Sequence, residues 1–479
     1  MKRLITTISM ALAVISISAQ RLLIVGSDKY EWTERYALSD IERVTYEEDI
    51  EFTNNLLANK IALDEKTTIF SAALKITGLA DSINVYQGKD ATNSSGYYQD
   101  GRNLYFPDIT IGSTFYWIDY YPSRFSVFVE TDSVFRLNGI NDIDDLKAYA
   151  KQVYDQVYPE DASISEPTHR RNSLNRFVAY HLLPFYVNYD MLASCNRYNY
   201  KNSVHELCSY YETMMPYSSL KISFWGARNY LNHRGIGRPA EVKGICSSSN
   251  YDMDWKGYAQ NGAYYYIDSL LTYDIQTQEQ VLTDHWTVDF RSLSPNIMNL
   301  SSSGSSYSPF CYGLKAENLQ NIQADEKMTL VYLPTNQVSL TFEGDAFYCI
   351  GGEDFTVKLP PLPKGEWQIR MGTRTEGGNR LGNIVNIYID DVLQREKVNL
   401  IMNHAEEDFG QNGIEHGPDF YYPQGSKSLM SESLYNVSHL MGTLQSDGKT
   451  DHYLRIQNTL IYSYTTLIDY FEFIPINKQ

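Results

Sequence analysis

Few residues in this chain are spaced for chemistry, and each of them has a structural explanation beside the functional one. Tyr180 and His181, a phenol next to an imidazole, are the most suggestive pair in the chain. Yet His181 falls seven residues after Leu174, on the apolar face Leu174, Phe177, Val178, His181, Leu182 of a helix expected from about Asn172 to Leu183. A core histidine with its ring nitrogens hydrogen-bonded is the expectation, because buried polar groups are normally paired. Asn250, Asp252 and Asp254 alternate like calcium ligands, but the sixth and twelfth positions hold Trp255 and Asn261 instead of Gly and Glu, so that loop is rejected. Asp142, Asp144 and Asp145 crowd a first helical turn, where the helix dipole favours carboxylates without any metal. Gly235-Ile-Gly237-Arg-Pro-Ala240 lacks a strand–helix–strand setting and is expected to be a turn. No metal and no cofactor is expected.

The second half offers a different set. Trp367, Ile369 and Met371 alternate with Gln368 and Arg370, so the first three are expected in a core and the other two on an exposed face. Gln368, Arg370, Arg374, Asn379 and Arg380 on or near that face carry planar amides and guanidinium groups that suit sugar hydroxyls or carboxylates. No G-x-S-x-G, H-E-x-x-H or Walker pattern occurs, and no spacing singles out a carboxylate pair for glycoside hydrolysis. Catalysis is therefore not expected.

The elements that must position these residues change character along the chain. Thr68–Gly78 reads as a helix begun by a hydroxyl and stopped by glycine. Phe125-Ser-Val-Phe-Val129 reads as a strand, with Thr131 or Asp132 capping a short helix behind it. A helix near Asn141 carries the stripe Ile143, Leu146, Ala150, Val153, Val157. Residues 88–122 look like a polar insertion with short strands, and Gly262–Leu271 like a strand. Polar residues 274–282 mark a boundary. Beyond it, short strands punctuated by Pro and Gly, such as 384–389 and 467–474, argue for an all-β sandwich, jelly-roll-like. The expected organisation is a signal peptide (1–19), an extension (20–39), a mixed helix and strand domain (40–273), a linker (274–282) and a sandwich (283–479).

Composition narrows the partners. The net charge of −18 would be repelled by nucleic-acid phosphates and anionic membranes. The 40 tyrosines suit protein or sugar contacts, or fill wide β-surfaces with apolar rings that keep a polar tip. Lys2 and Arg3, then an apolar run to Ile17 and Ser18-Ala19, read as an export signal too short to span a membrane. Five cysteines are too sparse for a disulfide scaffold; Cys195 and Cys208 either pair in an oxidising compartment or remain thiols.

Several segments carry family resemblances. Phe125-Ser-Val-Phe-Val-Glu-Thr-Asp-Ser-Val-Phe135, Phe177-Val-Ala-Tyr-His-Leu-Leu183 and Asn261–Leu271, with Ala73–Leu79 ahead of them, resemble the fasciclin family in its segment order over about residues 40–273. Glu130 departs from the family's usual proline. The resemblance implies an α+β domain with an adhesion role, no catalysis, and Tyr180-His181 as an adhesion motif. The segments 359–370, 385–391 and 468–475 are similar to galactose-binding-like β-sandwich modules, which implies carbohydrate binding. The expected protein is exported, secreted or held at the cell surface, and binds a glycan or a matrix or surface protein. The alternatives are a secreted carbohydrate-active hydrolase with a fasciclin appendage and a structural subunit of a surface complex.

Overall fold

The computed structural model describes residues 16–17, 20–27, 32–37, 55–85, 115–118, 121–189, 192–193, 208–225, 228–233, 244–245, 257–301, 311–314, 317, 319–325, 328–333, 345–350, 354–376, 383–400, 420–421, 434–460 and 465–476. The chain is mixed and mostly β, with several sheets and a few helices, most of them in the first half.

In that half, Phe125–Glu130 and Gly262–Ile267 run parallel as the central pair of a four-stranded sheet. Phe125–Glu130 is buried at every position, as a strand covered on both faces should be. Gly262 has φ +145°, and a Cβ there would stand 1.9 Å from the Phe125 carbonyl oxygen, so only glycine fits. Its neighbour Asn261 is fully buried. The Asn261 amide accepts from the Leu57 N–H at 2.9 Å and donates to the Ile83 carbonyl at 2.6 Å, tying the strand to the helices Leu57–Leu63 and Leu79–Ile83.

Two helices are capped at their starts by side chains. Asp142 accepts from the N–H groups of Asp144 and Asp145 ahead of Ile143–Val157, and Asn172 does the same for Leu174 and Asn175 ahead of Ser173–Tyr180. Two others differ. Thr68–Ile76 has no local side-chain cap. Its Ile69 N–H instead donates to Asp132 at 3.0 Å, from the helix Asp132–Leu137. A tertiary contact has taken the role of a local one. Ser173–Tyr180 ends short of Leu183 because Leu182–Leu183 joins the sheet beside Ser126 and Val127.

The second half is two sheets face to face. A nine-stranded sheet includes Gly365–Glu376, Leu434–Ser446 and Thr465–Pro475; a five-stranded sheet has Asp354–Lys358, Tyr453–Leu460 and Ile384–Ile389 at its centre. Trp367, Ile369 and Met371 are buried on one side of the first, and Val357, Ile387, Leu454 and Ile456 on one side of the second. Phe290 lies between the layers, its ring 6.1 Å from both Phe355 and Phe471. Asp354–Lys358 and Ile384–Ile389 alternate strictly between buried and half-exposed, so the five-stranded sheet keeps a solvent-facing side.

The halves are joined. Phe115–Ile118 pairs in parallel with Cys311–Leu314 at the edge of the nine-stranded sheet. Tyr210 stacks on Trp286 at 4.4 Å, and Lys358 bonds Glu212 at 2.7 Å. Within residues 274–282, a π-helical turn Thr277–Val281 buries Val281 and Leu282. Near the start, Gln20–Ser27 pairs with Ser16–Ile17 and with Trp32–Ala37. Among the described residues, no helix is long and apolar enough to cross a membrane. The Asn250, Asp252, Asp254 and Gly235–Ala240 segments lie outside the described residues, as does Cys195; Cys208 is half-buried and Cys349 buried.

Candidate functional site

Tyr180 and His181 are both fully buried, so neither side chain faces a partner. The Tyr180 hydroxyl donates to the Ser219 carbonyl at 3.0 Å. His181 Nδ1 lies 2.7 Å from the Phe177 carbonyl oxygen, which only accepts, so this nitrogen carries a proton. Nε2 lies 2.8 Å from Glu130 Oε1, and one proton is shared between them. The same oxygen accepts from the Leu271 N–H at 3.0 Å. Glu130, at the position where the fasciclin pattern has proline, thus ties the end of its strand to a helix terminus and to the segment after Gly262–Ile267. This is a structural histidine, shut between the rings of Phe70 and Phe177.

The expected exposed face around Arg370 is a correction. Arg370 is only 4% exposed, because the nine-stranded sheet is covered on this side too. It stands opposite Glu472 in the ladder. Its guanidinium donates to the Ser438 hydroxyl and carbonyl, both at 3.3 Å, and to Gln368 at 3.1 Å. Ser438 in turn donates to Glu472, whose other oxygen lies 3.1 Å from His285. The row Gln368–Arg370–Ser438–Glu472–His285 has the residue types of a nucleophile and a base, but Ser438 meets a carboxylate and the imidazole is on the far side. Next to it His439, buried against Thr373, is held at about 3 by burial and by the charges of Arg370 and Arg395, so it stays neutral. Arg374 pairs in register with Asn436; Asn379 and Arg380 lie outside the described residues.

Folding also gathers carboxylates far apart in sequence. Asp289 and Asp345 flank Arg291 at 3.7 and 3.2 Å, and the Tyr332 hydroxyl donates to Asp345 at 3.0 Å. All are buried, and burial followed by repulsion from Asp345 pushes Asp289 well above the usual carboxylate range. A carboxyl held neutral beside a second one is raw material for acid catalysis, but these atoms are enclosed in the core. Among the described residues no cluster of His, Cys, Asp and Glu is arranged to hold a metal ion.

The solvent side of the five-stranded sheet is the arrangement that faces outward. Register aligns Asp354, Gln457 and Asn386 in one row and Gln323, Thr356, Arg455 and Tyr388 in the next. The Tyr388 hydroxyl donates to Gln457 at 3.1 Å, the Arg455 guanidinium lies 6.0 Å from the Tyr388 ring, and Arg455 reaches Asp354 at 3.4 Å. Arg455 and Asp354 are 42% and 34% exposed, which leaves both within reach of a ligand. At the end of this face Lys358 sits opposite Tyr453 and between Glu212, at 2.7 Å, and Asp451, at 3.1 Å. Burial opposes the Lys358 charge, but the two carboxylates outweigh it and raise the amine above its ordinary value. Sequence reasoning missed these residues, although Asn386 and Tyr388 alternate with Val385, Ile387 and Ile389 as clearly as Gln368 and Arg370 do with their neighbours.

No protein-family model matches the chain, and no curated protein matches it. Solved structures similar over parts of it include the following three. An insecticidal crystal protein shares 11% identity over 35% of this chain and 21% of its own, with a TM-score of 0.20. A family 35 carbohydrate-binding module from Clostridium thermocellum shares 8% over 34% of this chain and 98% of its own, at 0.16. An exo-β-1,3-galactanase from Phanerochaete chrysosporium, solved with galactose, shares 11% over 56% of each chain, at 0.18. The chain therefore spans about a fifth of the crystal protein, and likenesses of this size carry no argument about activity.

Proposed function

We propose that this chain is a non-enzymatic glycan-binding protein working outside the cytoplasm, and that it binds through the solvent side of the five-stranded sheet. One observation carries the proposal: an aromatic ring, a guanidinium, two amides and a hydroxyl stand in register on adjacent strands, half-exposed, above a closed apolar core. Planar polar groups beside an aromatic face are what sugar rings require, one for the hydroxyls and one for the C–H face. Non-catalytic action fits the enclosure of Asp289, Asp345, His181 and His439 in the core. The fasciclin-like assignment of residues 40–273 belongs to this proposal, supported by the segment order and by the parallel pairing of Phe125–Glu130 with Gly262–Ile267.

Screening the full chain on a glycan array, followed by calorimetry, tests this. Saturable binding should fall about tenfold in Tyr388→Ala and in Arg455→Ala, with circular dichroism unchanged. Binding at the parental affinity in both variants refutes the proposal.

A further inference from the structure

The charges on this face say what kind of glycan it accepts. Arg455 is matched by Asp354 at 3.4 Å, and Lys358 by Glu212 and Asp451. At the hairpin beside them Asp390 accepts from the Tyr453 N–H at 2.9 Å and contacts His452 at 2.7 Å. Two cations thus stand among four carboxylates, Asp354, Glu212, Asp451 and Asp390, on a chain of net charge −18. A uronate or sulfate would have to displace a carboxylate from its cation and would meet the rest at short range, where like charges repel. The uncharged positions of the two rows are Asn386, Gln457, Gln323, Thr356 and Tyr388, and Asn386, Gln457 and Tyr388 adjoin one another on the neighbouring strands Ile384–Ile389 and Tyr453–Leu460. The Lys358 end is bounded by the hairpin of the first half, since Glu212 begins the turn and Ser219 donates to the Pro361 carbonyl at 2.9 Å.

We infer that this face takes an uncharged glycan, with a sugar ring against Tyr388 and hydroxyls bonded to Asn386, Gln457 and Thr356. This rests on the proposal that the face binds glycan at all. It goes further in assigning a specificity: Asp354 excludes acidic sugars by occupying Arg455.

The test is calorimetry of the full chain against neutral and uronate-containing oligosaccharides of matched length, at low and high salt. Neutral members should bind with little salt dependence, and uronate members about tenfold or more weakly. Asp354→Asn should raise affinity for the uronate set by releasing Arg455, and the gain should vanish in high salt. Tighter uronate binding by the parental chain, salt-sensitive and lost in Tyr388→Ala, overturns the inference and leaves glycan binding standing. Binding that ignores both Tyr388→Ala and Asn386→Ala refutes the site itself.

Discussion

Two rows of similar side chains cross the two layers of the sandwich, with opposite fates. The row through Arg370, Ser438 and Glu472 is enclosed, and its groups are bonded to one another. The row through Thr356, Arg455 and Tyr388 is half-exposed. Period-two alternation tells which residues share a side of a sheet; it does not tell whether that side is covered. Cover comes from distant segments, and it turns an arginine from a ligand contact into a structural member.

The contrast can be broken by substitution. The largest effect is expected at Arg370→Ala, which removes a buried guanidinium opposite Glu472 together with its bonds to Ser438 and Gln368, and should cost about 3–5 kcal/mol in urea unfolding; Arg455→Ala should cost under about 1 kcal/mol. Equal costs would remove the distinction. Next is Gly372→Ala. The Tyr470 ring lies over Gly372, with an added Cβ only 2.3 Å from the ring, so overpacking should cost about 1–3 kcal/mol. Per pH unit, an effect at the lower end of that range is expected on acidification. The folded chain refuses a proton at His439 until about 3, while the unfolded chain takes it up as pH falls through about 6.5. Stability is therefore complete above that range and declines on acidification, by up to about 1.4 kcal/mol per pH unit from this group. His439→Gln should flatten that part of the profile. Smallest is Gln457→Ala, within about 0.5 kcal/mol in stability, yet weaker for glycan. If it leaves glycan affinity unchanged, the outer row loses its amide contact.

Much of the local structure was legible in the sequence. Helices start beside Asn172 and beside the acidic cluster Asp142, Asp144 and Asp145, as expected, and Trp367, Ile369 and Met371 share a buried side. His181 has its ring nitrogens bonded inside the core, as its place on an apolar helix face requires. The misses have a common physical cause. Asp132 looks like a local cap but serves the end of another helix, and Arg370 looks exposed but is covered. Each depends on a contact between segments remote in the chain, and local pattern carries no record of those. The outer row could have been found by treating every alternating strand alike and asking which polar side had amides and an aromatic together.

The pairing of Phe115–Ile118 with Cys311–Leu314 has a consequence for assembly. During synthesis the first of these strands emerges long before its partner and must wait for it. Once in place it covers a sheet margin whose unpaired N–H and C=O groups would otherwise invite a neighbouring molecule. Cutting the chain near residue 280 would separate the two strands, so a fragment carrying only the sandwich should self-associate at concentrations where the intact chain stays monodisperse.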